Sequence, residues 1–497
     1  MTVDPVELLF TTLSVLLFAM VALSSIPILS NAFQLLVVPF HAVRNHYAKA
    51  RPYFPRVAVI VPAWNEGMVI GASIDRLMTL DYPPESLRVY VVDDASTDDT
   101  PEVVQERERT YPGRVRHLRR HVGGEGKAHT LNHGIAIVLA DDWMEAMLIM
   151  DADVIYERDS LRKMTRHLAD GNVGSVTAYI REGSADKTYL TRFIGFEYVL
   201  AQLASRRAQN VLGALACLAG GAQLHSRENM EALGRIDTTT LAEDTVTTIE
   251  TQLRGRLTVF EPHARVFAEE PLEIAALWKQ RERWARGNFQ VTARYRGLWF
   301  RPHRHRRLGS FSFGFQWFSV LLLPAAMVIA PLAFIGLYLL DDAIAHVAFR
   351  GMWIAGTCVY LFAVVLGLQL DRGIARTSWR EAIAFPGLVS LLVMAAAIFP
   401  GLLEEDLPAI FGLRLTDAGR TAVAVSVYLW IALSMVFAWL AKQMEGTRAG
   451  RPFVPFILYL VGYGPLLCAV VVSAFLKELR HAEAKWEKTE KVGRVVG

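Results

Sequence analysis

From Leu8 to Phe40 the chain carries no charged side chain, and a helix crosses the hydrocarbon core of a bilayer in about 20 apolar residues. This run is therefore expected to span. It is too long for a cleaved signal peptide, follows Asp4 and Glu7 instead of a basic segment, and shows no small-residue cleavage pattern before Arg44, Lys49, Arg51 and Arg56. Pro27 and Ser30-Asn31 are points where the run can break into a span and an interfacial piece, or into two short spans. Five further uncharged or nearly uncharged runs follow, at about 311–340, 346–370, 383–403, 421–441 and 453–475. Most of the charge lies between, at about 50–310. A chain that is 53% apolar and 20% charged is thus two kinds of material in sequence, a charged domain held between membrane segments.

Charge sets the orientation. Acids precede the first run and the basic cluster follows it, so the positive-inside rule puts the N-terminus outside and the charged domain in the cytoplasm, at the cell membrane. Asp341-Asp342 and Glu404-Glu405-Asp406 are acidic loops, while Arg372, Arg376 and Arg380, and the segment Lys442 to Arg451, are basic and belong inside. Five simple spans would leave the Lys- and Arg-rich tail after Lys477 outside, a conflict that a break at Gly462-Tyr463-Gly464-Pro465 relieves. The expected organisation is an N-terminal membrane segment (1–43), a cytoplasmic domain (50–271), amphipathic interfacial helices (272–310), a bundle of four or five spans (311–476) and a basic tail (477–497). The tail, about 20 residues, is shorter than the roughly 40 a domain needs, so no appended cyclic-dinucleotide-binding domain is expected. A net charge of +3 gives no ground for nucleic-acid binding, and Cys217, Cys358 and Cys468 are too scattered for a zinc site or a disulfide framework.

Within the charged domain, strand, turn and helix repeat. RVAVIVPAWNE (56–66) is a β-branched run that ends at Pro62, and helical spacing follows at Val69, Ile70, Ile74 and Leu77. LRVYVVDDASTDDT (87–100) is a second strand stopped by Asp93 and Asp94, with a helix from about Pro101. VRHLRRHV (115–122) is a third, leading into GGEGKAHTLNHGI, and LIMDADVIY (148–156) is the fourth. Alternating strands and helices predict an α/β fold, an open and mostly parallel Rossmann-like sheet with a ligand crevice along its carboxyl edge. The segment 272–307 is basic and aromatic together, with Trp278, Trp284, Phe289, Trp299 and Phe300 among many arginines, which suits the headgroup region of anionic lipid.

Polar residues gather at the predicted strand ends. Pro62, Asn65 and Glu66 can line a nucleotide pocket, although an ordinary turn also explains them. Asp93 and Asp94 can accept from a uracil N–H or a ribose hydroxyl, or can cap the next helix. Lys127, after Gly126, can bring an ammonium to a diphosphate. Asp151 and Asp153 can share one hard divalent cation whose remaining positions go to water and phosphate oxygens, or can form a solvated turn. Glu243 and Asp244 form another carboxylate pair, equally at home at a helix N-terminus.

In this order VPAWNE, VVDDAST, GKAHTLNHG, DAD, AED and QRERW resemble the signature of inverting, processive family-2 glycosyltransferases with a GT-A fold, the membrane enzymes that include cellulose, hyaluronan, chitin and poly-β-1,6-N-acetylglucosamine synthases. The resemblance spans about residues 56–290, and the tail KWEKTEKVGRV is similar to the ending of the poly-N-acetylglucosamine type. It implies a UDP-sugar donor (UDP-GlcNAc or UDP-glucose), Mg²⁺ or Mn²⁺ on Asp151 and Asp153, and a growing β-linked polysaccharide that is extruded, with room for an accessory export subunit. It further implies that Asn65, Glu66 and Asp94 meet the uridine, that Lys127, Gln280 and Arg283 meet the diphosphate, and that Asp244 beside Glu243 is the general base. Trp284 would stack on the acceptor sugar, and the Gly220-Gly221 turn of CLAGGAQLHSRE would lie on the acceptor side. Two features depart from the pattern: AED stands where many members have Thr-Glu-Asp, and the Gly-Gly segment matches no one subgroup, which leaves the sugar open. The alternative expectation is a single sugar added to a membrane lipid. A transporter or scaffold that merely binds nucleotide fits less well, since it gives the carboxylates no purpose and no intramembrane charge marks an ion pathway.

Overall fold

The computed structural model describes residues 5–43, 51–483 and 495. Arg44 and Lys49 of the basic cluster, Asp4, and the tail motif apart from Val495 lie outside the described residues. The chain forms two compact units, one of Met1–Leu35, Glu273–Ala285 and Phe315–His481, the other of Leu36–Leu272, Arg286–Gly314 and Ala482–Gly497.

The second unit is built on an eight-stranded sheet in the order β3-β2-β1-β4-β7-β6-β8-β5. Its strands are β1 (Val57–Ala63), β2 (Leu87–Asp93), β3 (Val115–Arg119), β4 (Ala146–Ile149), β5 (Val154–Tyr156), β6 (Val173–Glu182), β7 (Gln223–Ser226) and β8 (Leu257–Ala268). The first four run parallel, as the alternating pattern predicts, with Val57 opposite both Leu87 and Ala146. β7 and β5 run antiparallel to their neighbours, so the sheet is mixed but mostly parallel. The helices that bear on the site are α1 (Gly67–Met78), α2 (Thr100–Thr110), α3 (Lys127–Leu139), α4 (Glu243–Leu253) and α5 (Ile274–Arg294). Strand periodicity puts Ala58, Ile60, Tyr90, Val92, Met147 and Ile149 on one face, where they bury against Leu131, Ile135 and Val138 of α3. Each such aliphatic side chain contributes about 1.5–3 kcal/mol by leaving water. The approach of α3 to the sheet is close enough that a Cβ on Gly134 would stand 2.6 Å from Val92 Cγ2.

The expected single strand LIMDADVIY is two strands. β4 ends at Ile149 in the middle of the sheet, Asp151-Ala152-Asp153 turns, and β5 crosses to the far edge to pair with β8. Two carboxylates in succession cannot continue a buried strand, so the backbone leaves the sheet where they begin. Ser73 Oγ of α1 secures the turn by donating to Ala152 O at 2.6 Å.

The first unit contains the long apolar helices. Among the described residues four stretches are long and apolar enough to cross a membrane, Val6–Val43, Phe311–Leu340, Asp342–Leu370 and Asp417–Glu445, and up to six when each of two bent helix pairs counts as one span. This is the pattern of a multi-pass membrane protein. Phe334, Phe349, Trp353, Val393, Ala397 and Tyr428 form the centre of their buried packing. Arg350 lies inside one of these stretches and donates from Nε to Ala397 O at 3.0 Å, so its charge is engaged by a carbonyl. The run at 383–403, expected as a simple span, is a correction: its helix Leu388–Ile398 has 11 residues and is bent 71° from Arg372–Ile383. Pro386 and Gly387 (φ +91°) end one helix and start the other, and 11 residues reach only about 16 Å. The final run also bends, by 100° at Gly462.

Candidate active site

At the carboxyl edge of β1 and β2 two loops are stitched together. Asn65 takes the left-handed conformation (φ +54°), which asparagine tolerates better than most residues. That turn lets its N–H donate to Ser96 Oγ at 3.0 Å while its side-chain oxygen accepts from Thr97 N at 2.8 Å. Glu66 N donates to Thr100 Oγ1 at 2.8 Å, which locks the start of α1 to that of α2. Pro62 lies within β1 opposite Val92, two residues past Ile60, the last β1 residue that pairs with β4, so its missing N–H interrupts no pairing there.

Asp93 is fully buried. It accepts from Ser96 N at 2.8 Å and lies 3.2 Å from His117 Nε2 and 3.4 Å from Arg119 Nη1. Burial works to raise its pKa, but the His117 and Ser96 hydrogen bonds and the Arg119 charge bring it below the usual carboxylate range. Asp93 can therefore reach a ligand only through the loop it holds. Asp94 is salt-bridged to Arg120 and accepts from Gly124 N at 2.9 Å, which ties the glycine-rich segment to the end of β2. Arg120 also bonds Glu125. Only glycine fits at 123, because a Cβ there would stand 2.1 Å from Asp94 O.

The acidic centre assembles beside this pocket. Gly126 (φ +102°) admits the turn that starts α3 at Lys127. Lys127 Nζ lies 2.5 Å from Asp151 Oδ1 and 3.5 Å from Glu243 Oε1. The Gly220-Gly221 turn packs against the same group. A Cβ on Gly220 would be 3.3 Å from Asp244 Oδ2 and 3.4 Å from Lys127 Nζ, and one on Gly221 would be 3.4 Å from Asp151 Oδ2. Tyr156 OH donates to Gly221 O at 3.1 Å, and Leu218 N donates to Thr248 Oγ1 of α4 at 2.8 Å, so β5 and α4 both hold the turn.

Glu243 and Asp244 occupy the first turn of α4, where the helix dipole favours negative charge. Asp244 Oδ1 accepts from Thr245 N at 2.7 Å. Burial, followed by the adjacent Glu243 charge, pushes the Asp244 carboxyl up to about 6 against the opposing pull of Lys127, the Thr245 N–H and the Cys217 thiol. Burial works to lower the Lys127 ammonium, but Asp151 and Glu243 outweigh it and raise the pKa. The result is one well-charged ammonium among three carboxylates, of which one sits near neutrality.

Among the described residues no three His, Cys, Asp or Glu side chains converge as a metal cage. The Asp151/Asp153 pair offers oxygen donors alone. Asp151 is part-exposed and Asp153 is buried. So small a set of hard donors suits Mg²⁺ or Mn²⁺ shared with phosphate oxygens, and not zinc. Lys127, resting on Asp151 Oδ1, marks that oxygen as facing positive charge.

The second half of α5 packs in this unit. A Cβ on Gly287 would be 2.6 Å from Ala242 Cβ, and Gln290 Oε1 accepts from Leu241 N at 2.9 Å, so the helix braces the residues that lead into Glu243 and Asp244. Gln280, Arg283 and Trp284 lie on the first half, in the unit of membrane-length helices, where Glu445 caps the helix start by accepting from Ile274 N (2.9 Å) and Ala275 N (2.8 Å). Glu282 there accepts from Lys477 Nζ at 2.6 Å and from Ser473 Oγ at 2.5 Å. Arg281 covers one face of the Trp284 ring, 4.1 Å from its centroid, and Trp284 remains 36% exposed. Trp278 and Trp299 are buried in protein. Sequence reasoning missed Arg120, Ser96, Gly123 and Gln290. The glycine run before Lys127 was the signal for Gly123 and the VVDDAST motif the signal for Ser96, whereas nothing local singled out Arg120 or Gln290.

The profile of the family described as "Glycosyltransferase like family 2" matches residues 55–287. The chain is 30% identical over 322 residues to the probable glycosyltransferase YdaM of Bacillus subtilis (strain 168), covering 64% of this chain and 75% of that protein. It is 32% identical over 256 residues to the beta-monoglucosyldiacylglycerol synthase of Synechocystis sp., covering 51% of each. It is 25% identical over 239 residues to the poly-beta-1,6-N-acetyl-D-glucosamine synthase of Staphylococcus epidermidis, covering 48% of this chain and 56% of that one. The matches to the latter two thus span about half the length of each relative. Among solved structures, the mannosyltransferase PcManGT from Pyrobaculum calidifontis, in complex with GDP-Man and Mn²⁺, shares the fold with a TM-score of 0.51 and 24% identity, over 71% of this chain and 99% of that one. The chain belongs to the family-2 glycosyltransferases.

Proposed function

We propose that this protein is a membrane-embedded, inverting transferase that moves a sugar from a UDP-sugar, UDP-GlcNAc or UDP-glucose, onto an acceptor hydroxyl. The observation that carries this reading is the convergence of Lys127, Asp151, Glu243 and Asp244 around the Gly220-Gly221 turn. Asn65, Glu66 and Asp94 line the uridine side, with Asp93 and Pro62 shaping the loops that carry them. Lys127 meets the diphosphate, the role that the family resemblance also gives to Gln280 and Arg283. Asp151 and Asp153 hold Mg²⁺ or Mn²⁺, which when bound neutralises charge on the departing diphosphate as a Lewis acid.

Asp244 Oδ2, the oxygen turned toward Gly220, takes the acceptor hydroxyl proton while Oδ1 stays fixed by Thr245 N. The acceptor oxygen then attacks the anomeric carbon opposite the leaving group. The carbon–oxygen bond to the donor phosphate breaks, its electron pair leaves with UDP, and an α-linked donor gives a β-linked product. Asp244 works in its deprotonated form, and its pKa lies near 6. The value of kcat/KM should therefore be level above that pH and fall about tenfold per unit below it. A pH–rate profile that stays flat down to pH 5 would remove Asp244 as the base.

Two acceptors fit. A growing polysaccharide, extruded through the helices, is supported by the Gln280, Arg283 and Trp284 motif and by the staphylococcal relative's name. A single-sugar lipid is supported by the higher identity to the cyanobacterial glucolipid synthase. Both put the catalytic unit in the cytoplasm, in keeping with the basic loops at Arg372–Arg380 and Lys442–Arg451. Purified protein given labelled UDP-GlcNAc or UDP-glucose with Mn²⁺ separates them: high polymer supports the first, a solvent-extractable monoglycosyl lipid the second. Trp284→Ala should shorten or abolish polymer, since ring stacking is worth about 1 kcal/mol or more per contact. Product lengths equal to wild type would count against a stacking role.

A further inference from the structure

Two helices that precede the two breaks in the membrane unit form a surface of their own. Arg372–Ile383 is capped by Asp371, whose side chain accepts from Gly373 N at 2.9 Å and Ile374 N at 3.2 Å. It buries Ile374, Ser378, Glu381 and Ala382. It exposes Arg372 and Arg376 before a kink at Ser378 (φ −129°) and Arg380 after it, with Trp379 (47% exposed) and Ile383 (44%) beside Arg380. Among the described residues none of the three arginines has a carboxylate partner. Arg380 instead lies over the Trp379 ring, 5.3 Å from its centroid.

The neighbouring helix Val454–Val461 adds Phe456 (63% exposed), with Phe453 (58%) just before it. Tyr459 OH donates to Glu381 Oε1 at 2.7 Å and so links the two helices. Their breaks interlock. Gly464 N donates to Phe385 O at 3.1 Å, and a Cβ on Gly387 or Gly462 would stand 2.4 or 2.3 Å from the backbone of the other segment. Both glycines have positive φ, +91° and +99°, so neither the contact nor the bend admits another residue without strain.

Water alone would satisfy the arginines but not Trp379, Ile383, Phe453 and Phe456. Hydrocarbon would satisfy the aromatics but not the arginines. The plane where phosphates meet acyl chains satisfies both. A guanidinium pairs with phosphate through two parallel hydrogen bonds, and a headgroup with net negative charge leaves that pairing uncontested, whereas a choline headgroup supplies its own cation. We propose that the surface formed by Arg372–Ile383 and Val454–Val461 is a docking site for anionic phospholipid.

Full-length protein in bilayers of phosphatidylcholine, doped with spin-labelled phosphatidylglycerol or spin-labelled phosphatidylcholine, tests this by the motionally restricted fraction of each label. Wild type should select phosphatidylglycerol. The triple variant Arg372→Gln, Arg376→Gln, Arg380→Gln should lose most of that selection, at roughly fivefold per arginine. The corresponding triple Lys variant should keep most of it. Equal selection in wild type and the Gln variant overturns the proposal. So does loss of selection when inorganic phosphate replaces chloride at matched ionic strength, which would mark a site for free phosphate. Should the triple Gln variant not fold, Arg376→Gln alone carries the test, with a fivefold change expected and no change overturning the proposal.

Discussion

Asp244→Asn should reduce sugar transfer by roughly 10³-fold, within the 10²–10⁴ range of a positioned general base, while UDP binding stays within about threefold of wild type. Asparagine keeps the shape and can still accept from Thr245 N through its carbonyl, so the start of α4 should survive. It cannot take a proton. The substitution also removes one negative charge from beside Glu243, the repulsion that together with burial holds the carboxyl near 6, so thermal stability should be unchanged or slightly higher. Activity assays and UDP titration on the same preparation separate lost chemistry from lost binding. Transfer within tenfold of wild type would sink the assignment.

Lys127→Met should cost at least 10²-fold in kcat/KM and also change the pH profile. The ammonium pairs with Asp151 and Glu243, and it holds the Asp244 pKa down. Without it the three carboxylates repel one another, so the Asp244 pKa should rise and the acid limb of kcat/KM should move to higher pH. Removing one partner of a fully buried ion pair costs about 3–5 kcal/mol. The cost here should be smaller, since the Asp151 side chain is about one-third exposed. A simple drop in donor affinity with an unmoved acid limb would mean that Lys127 meets the diphosphate without setting the state of the base.

The order of motifs along the chain carried much of the fold. β-branched runs ending in polar residues at 57–63, 87–93 and 115–119 became three adjacent parallel strands, because consecutive strands in alternating α/β chains pair side by side. The migration of β5 to the sheet edge and the antiparallel insertion of β7 were not legible. Three and four residues of strand have no local preference for one partner over another, and the choice belongs to the long strands β6 and β8 that flank them. In the site, Lys127, Asp151, Glu243 and Asp244 could be listed from residue type and spacing. That they meet around Gly220 depends on helix starts more than 100 residues apart in sequence. Arg120 escaped notice because an arginine in VRHLRRHV reads as a solvated edge-strand charge, and its ties to Asp94 and Glu125 exist only after the glycine loop folds back. The bend at Gly387 was hidden in an apolar run, where hydropathy sees length but not direction.

The acidic centre is proposed to transfer sugar from a nucleotide donor at a membrane. Purified full-length protein in lipid nanodiscs, screened with labelled UDP-GlcNAc and UDP-glucose in the presence of Mn²⁺ and then of a chelator, tests it most directly. The predicted result is label in a β-linked product from at least one donor, abolished by chelation and by Asp244→Asn. Folded protein that binds UDP but incorporates label from neither donor, or that incorporates it equally well with Asn at position 244, would contradict the account.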